Sequence, residues 1–235
     1  MRLSSVLLAT GINREGYREI LGLFLGDSES EATWSEFFGR LKARGLKGVD
    51  LVVSDDHKGL VNAIETRFQG AIWQRCQTHL IRNILDACPK SLQKELHGRL
   101  RLIFDAPDME TARRLLNGTI EAFGARAPKA VERLEAGFED AMGVMALPER
   151  YRKRLRTTNG VERLNQEIRR RERVIRIFPN EESAVRLIGA VLVEIDEAWS
   201  SGSRYFDMAD YWEWKANTEK RQKEVNSADT RVNAA

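Results

Sequence analysis

Residues 51–60 read LVVSDDHKGL, a short apolar run that ends on two adjacent carboxylates. The run over residues 49–53 is too short for a helix and is bounded by turn residues, so it is a strand. Asp55 and Asp56 then fall at its carboxyl end, where ligands of α/β sheets are held. Successive strand side chains point to opposite faces, so the two cannot both address one point. A carboxylate at such a place suits a hard cation such as Mg²⁺. The plainer alternative is that Asp55 or Asp56 caps the helix expected over residues 58–68.

Working outward, residues 3–10 and 17–25 are apolar and β-tolerant and flank the turn signal GINREG, which predicts a hairpin. Ser28 with Glu31 forms the pattern of a capping box. Trp34, Phe37, Phe38 and Leu41 follow at helical spacing, and Gly45 supplies the stop. AIWQRC, residues 71–76, is a further short strand. Beyond His79 the pattern is helical to about Trp199, interrupted near Pro89, Pro107, Pro128, Pro148 and Pro179. An aromatic cluster (Tyr205, Phe206, Tyr211, Trp212, Trp214) and a polar tail close the chain, and the last fifteen or so residues are expected to fray.

At 235 residues, 42% hydrophobic and 31% charged, the chain has the composition of a soluble globular protein. No apolar run has the length of a membrane span, and the N-terminus lacks a signal peptide's apolar core. Two cysteines, Cys76 and Cys88, make no disulfide framework, as suits a reducing cytoplasm. Net charge is only +3, but residues 150–176 hold eleven Lys or Arg against three Glu. Such a block suits a polyanion, most often nucleic acid, and a solvated helix face is the equal alternative.

Two further constellations carry chemistry. In WQRCQTHLIRN, Cys76 and His79 stand three apart, half of a zinc site. The other candidates, His57, Cys88 and His97, have no matching spacing, so zinc is not expected and a supporting role for His79 is the better reading. In RTTNGVERLNQEIRRRERVIRIFPN, Thr157 or Thr158 can cap a helix on which Asn159, Glu162, Asn165 and Gln166 share a polar stripe. Val161, Leu164 and Ile168 form its apolar stripe, and Arg163, Arg169, Arg170, Arg171 and Arg173 surround it. A glutamate among amides and arginines suits an anion facing a metal, with arginines for phosphates. Ordinary surface ion pairs, about 0.3–0.5 kcal/mol each, are the alternative.

Taken in order, GDSESEATWSEFFGRLKARGLKGVDLVVSDDHKGL, QRCQTHLIRN, RTTNGVERLNQEIRRR and FPNEESAVRLIGAVL resemble the Mutator-like transposases of bacterial insertion sequences. The resemblance implies an α/β fold: a ribonuclease-H-like core, here lacking its first strand, with a large all-helical insertion. The implied division is 1–80 for the partial core, 81–156 for the insertion, 157–200 for core-completing helices and 201–235 for the aromatic cluster and tail. It implies Asp-Asp-Glu chemistry in which two Mg²⁺ (or Mn²⁺) ions about 3.5–4 Å apart serve strand cleavage and transfer. The family's second aspartate falls on Asp55, its third acidic residue on Glu162 and its Cys-x-x-His signature on Cys76 and His79, with Asn159 beside Glu162. Asp55 and Glu162 are the implied metal ligands, and the five arginines the implied DNA contacts.

The first catalytic aspartate belongs to a strand before the hairpin, and this chain starts inside what corresponds to the second strand. Asp27 and Asp50 sit elsewhere in the pattern. The expectation is therefore the C-terminal catalytic portion of a transposase, N-terminally truncated, acting on element ends and target DNA in the bacterial cytoplasm at the nucleoid. Self-association, or association with a full-length transposase, goes with it. The alternative is an inactive fragment that only binds DNA or the full-length enzyme.

Overall fold

The computed structural model describes residues 5–173 and 180–232. β1 (Ser5–Ile12) and β2 (Arg18–Gly26) form the expected antiparallel hairpin. Asn13 builds the turn, its side-chain oxygen accepting from the amides of Glu15 and Tyr17. Gly16 completes it at φ +90°, a conformation that favours glycine. The register shifts between Ala9 and Thr10, and the Ile20 amide donates instead to Asp196 at 2.7 Å.

α1 (Glu31–Ala43) follows, and here the cap differs from the expected box. Ser30, not Ser28, is the N-cap, accepting from the Thr33 amide, while Glu31 accepts from Asn62 of the next helix at 2.8 Å. The packing of Phe37, Phe38 and Leu41 fixes the helix phase and so selects Ser30. At the other end Gly45 (φ +107°) donates to Lys42 and Leu46 donates to Leu41, a Schellman closure.

β3 (Leu51–Ser54), α2 (Lys58–Arg67) and β4 (Ile72–Arg75) make a right-sized βαβ unit with β3 and β4 parallel. Among the described residues β1 pairs only with β2 and β3 only with β4, so the sheet is two separate ladders. One apolar layer, however, covers both: Leu7, Ala9, Leu21 and Phe24 pack with Val52 and Trp73 against α1 and α2. Leu8, Ile20 and Leu23 take the opposite face, Ile20 and Leu23 sharing it because the bulge at Leu21 interrupts the period-two alternation between them. There they meet Leu164 and Ile168 of α8 (Asn159–Glu172) and Ile188, Val191 and Leu192 of α9 (Glu181–Ser200). The strand-bearing half is thus a mixed α/β layer with helices on both faces.

Between β4 and α8 the chain is helical: α3 (Gln77–Asp86), α4 (Lys90–Phe104), α5 (Met109–Phe123), α6 (Pro128–Ala141), a 3-10 turn (Gly143–Ala146) and α7 (Glu149–Leu155). Pro89, Pro128 and Pro148 stand at helix starts, where a missing N–H is harmless, and Pro107 stands in the α4–α5 link. The interruption expected at Pro179 lies outside the described residues. α3 to α6 enclose their own core, including Leu80, Ile84, Leu96, Leu100, Phe123 and Leu134.

The C-terminal segment, expected to fray over its last fifteen or so residues, is helical as far as it is described. α10 runs Ala209–Val232, because its lysines, glutamates, arginines and glutamines are strong helix formers. Its start is a strap: Tyr205 and Phe206 amides donate to Gly16, the Tyr151 hydroxyl to Asp207 at 2.6 Å, and Lys215 pairs with Asp50 at 2.7 Å. Tyr211 also donates to Asp50, and its rings cluster with Tyr151 and Trp214. No helix among the described residues is long and apolar enough to cross a membrane.

Candidate active site

The two aspartates diverge as strand geometry requires. Asp56 turns to Arg75, 2.8 Å away, and Asp55 turns toward α3. Neither caps α2, whose N-cap is His57 without a side-chain bond. The parallel ladder continues one step past β3, the Cys76 amide donating to Ser54 at 2.8 Å, which sets Cys76 beside Asp55. Nearly one helical turn later, His79 Nδ1 stands 2.5 Å from Asp55 Oδ1, and His79 Nε2 stands 3.6 Å from Glu162 Oε1. The Nδ1 contact lacks the angle of a hydrogen bond, and that buried nitrogen has no other partner.

Glu162 arrives from α8, more than a hundred residues away in sequence. Two bonds bring it there. The Gln77 amide donates to the Arg156 carbonyl at 3.0 Å, pinning the two ends of the helical excursion together. Thr158, the N-cap of α8, makes no capping bond with its side chain. Its hydroxyl lies 3.1 Å from Glu162 Oε1, 3.4 Å from Asp55 Oδ1 and 3.2 Å from Cys76 Sγ, and its amide donates to the same sulfur at 3.3 Å. One hydroxyl therefore touches both carboxylates. Asn159 sits one step on, 3.4 Å from Thr78 Oγ1.

Asp55, Cys76, His79 and Glu162 are thus brought together, whereas the Asn159 side chain meets Thr78 instead. The five arginines are not equivalent. At 100° per residue Arg169 and Arg173 lie roughly 20° from Glu162 around α8, whereas Arg171 lies roughly 180° away. Arg170 and Arg171 both bond Glu167, and Arg171 also reaches Glu194 of α9 at 3.1 Å. These two guanidinium groups hold the Glu167 carboxyl down at about 2. Arg163 and Arg169 make no ion pair among the described residues and are exposed.

Three supporting residues lie outside the motif reading. Thr158 reads as a cap but serves the site. Gln74 and Gln77 are buried and both donate to the Ala141 carbonyl at 2.8 Å, while Gln74 accepts from Val144 at 2.7 Å. A glutamine within a short apolar strand is the one sequence signal that could have flagged this joint. Asp140, nearby on α6, has its carboxyl pushed up by burial, against the pull of Arg75.

A strand-end aspartate and a helix glutamate thus converge across a helical excursion on an α/β scaffold. Comparison with known families gives the class of the chain. The sequence model of the family described as "Transposase, Mutator family" matches residues 1–202. Relatives include the transposase for insertion sequence element ISRM5 of Rhizobium meliloti, 43% identical over 211 residues, which is 90% of this chain and 53% of that protein. The transposase for IS256 in transposon Tn4001 of Staphylococcus aureus is 46% identical over 201 residues, 85% of this chain and 51% of that protein. The transposase for IS1081 of Mycobacterium tuberculosis is 42% identical over 202 residues, covering 86% and 49%. The chain belongs to the Mutator family of transposases, and it spans about half the length of the curated relatives it matches.

Proposed function

We propose that this chain is the catalytic portion of an insertion-sequence transposase, with Asp55 and Glu162 as two of its catalytic carboxylates. The observation that carries the proposal is the Thr158 hydroxyl in reach of both carboxylates at 3.4 and 3.1 Å. The donor chemistry fits the implied ion: two carboxylates on one point, with the buried His79 Nδ1 2.5 Å from Asp55 beside them. Asp55 and Glu162 would hold Mg²⁺ or Mn²⁺, which when bound would supply charge stabilisation for attack on a phosphodiester. The chain's own residues set the rest. Thr158 and His79 fix the two carboxylates, and Arg169 and Arg173 lie on the Glu162 face of α8, where they would hold the phosphate backbone.

The same reading makes the strand-bearing half a ribonuclease-H-like core and residues 81–156 its insertion. An antiparallel hairpin followed by a parallel βαβ pair under one shared helical layer supports it. The partners are then element-end and target DNA, with self-association of the transposase.

A second reading, DNA or transposase binding without cleavage, is favoured by one observation. Asp50 is taken by Tyr211 and Lys215, and Asp56 by Arg75, so neither joins Asp55 and Glu162. The chain with Mn²⁺ and DNA carrying the element ends separates the two. Nicking that Glu162→Gln abolishes is the expected result, and nicking indifferent to that substitution overturns the catalytic assignment. Salt-dependent binding with no nicking selects the second reading.

A further inference from the structure

Three donor atoms of unlike chemistry meet at the proposed site: a carboxylate oxygen of Asp55, the Cys76 sulfur and an imidazole nitrogen of His79. All lie within 4.8 Å of one another. They come from the end of β3, the N-cap of α3 and the first turn of α3. Two more observations point to a ligand. The buried His79 Nδ1 stands 2.5 Å from Asp55 Oδ1 without hydrogen-bond geometry, so two unlike donor atoms are held side by side without a hydrogen bond to account for the approach. Cys76 is wholly buried, yet the Thr158 amide donates to its sulfur at 3.3 Å and the Thr158 hydroxyl lies 3.2 Å from it. An N–H donor on sulfur is what a metal-bound thiolate takes from its surroundings.

We propose that Asp55, Cys76 and His79 form a binding site for a thiophilic divalent ion of the zinc class, supported by Thr158. A magnesium site has no use for sulfur, since hard cations take oxygen. Zinc accepts thiolate, imidazole and carboxylate alike, and three protein ligands with one open position is the pattern of its non-structural sites. Spacing along the chain shows only Cys76 and His79, because the third ligand comes from a different strand. On binding, the Cys76 thiol gives its proton to solvent as sulfur takes the metal. Asp55 is common to this site and to the magnesium site proposed above, so the two ions compete for it. The zinc-class site does not depend on that earlier reading, and its test reads binding rather than cleavage.

The reduced, metal-free chain is titrated with Co²⁺ as a spectroscopic stand-in for zinc. A thiolate-to-cobalt charge-transfer band in the near ultraviolet should rise to one ion per chain and be bleached by Zn²⁺. Cys76→Ser should remove the band and Cys88→Ser should keep it. His79→Asn and Asp55→Asn should each weaken Co²⁺ binding at least about tenfold, and Thr158→Val by roughly tenfold. Absence of the band in the unaltered chain, or its survival in Cys76→Ser, overturns the proposal. Binding indifferent to both His79→Asn and Asp55→Asn overturns it too. X-ray absorption at the zinc edge of the unaltered chain needs no variant to fold. It should show one sulfur at about 2.3 Å among lighter donors, and a shell without sulfur refutes the site.

Discussion

In the lobe of α3 to α6 every helix turns its apolar stripe to one interior, and long side chains such as Leu96, Leu100, Phe123 and Leu134 are sealed there. In the strand-bearing half the two ladders share apolar layers above and below but, among the described residues, exchange no backbone bonds. Helices satisfy their own hydrogen bonds, so a bundle needs only apolar complementarity to close. Strands satisfy theirs only through neighbours, so the same chain is self-sufficient in one region and open-edged in the other. The candidate site sits where the two meet, with Asp55 on a strand end, His79 at the root of the lobe and Glu162 beyond it.

The difference can be broken most forcefully from inside the lobe. Leu134→Ala, at a wholly buried position, should cost about 2–5 kcal/mol in denaturant unfolding, whereas Val52→Ala on half-buried β3 should cost clearly less. Equal losses would show that the lobe's core is not the better sealed. Gly16→Ala tests the strap that braces the hairpin. Its φ is +90° and an added Cβ would stand 2.0 Å from the Phe206 carbonyl oxygen, so a cost of about 1–3 kcal/mol or more is expected from the thermal midpoint.

The joint between the two regions comes next. Gln74→Leu leaves the buried Val144 amide without its partner, a loss of about 1–3 kcal/mol by chemical denaturation. Hydrogen exchange should then rise in the Gly143–Ala146 turn rather than in α4. The smallest effects belong to α8. Arg169→Ala should weaken DNA binding uniformly and lower the salt slope by about 1, measured by anisotropy at several salt concentrations. Arg171→Ala should leave that slope nearly unchanged, because its guanidinium is held by Glu167 and Glu194. Equal slopes in the two variants would deny that the Glu162 face of α8 is the one that meets phosphate.

Much of this was legible in the chain itself. The hairpin, the aromatic helix with its Gly45 stop, the strand ending at Asp55 and the proline-punctuated helices all follow from local period and turn chemistry. Local signals were weaker wherever two caps competed. Ser28 and Ser30 offer the same chemistry, and only the burial of Phe37 and Phe38 chooses between them. Thr158 shows the same limit from the other side: its type and place predict a cap, but its hydroxyl is turned to Cys76 and Glu162. The last fifteen or so residues read as frayed, although α10 runs on among them to Val232.

The sequence alone determined which residues could do chemistry and the periodicity that makes each element, because both are properties of neighbours along the chain. Tertiary structure decided which of them meet. Asp55 and Cys76 adjoin because parallel strands align in register. Glu162 joins them because a backbone bond from Gln77 to Arg156 closes the helical excursion. Asp50, also an aspartate, is withdrawn by Tyr211 and Lys215 from a helix far along the chain. Contacts of that range depend on packing between elements, which no local spacing encodes.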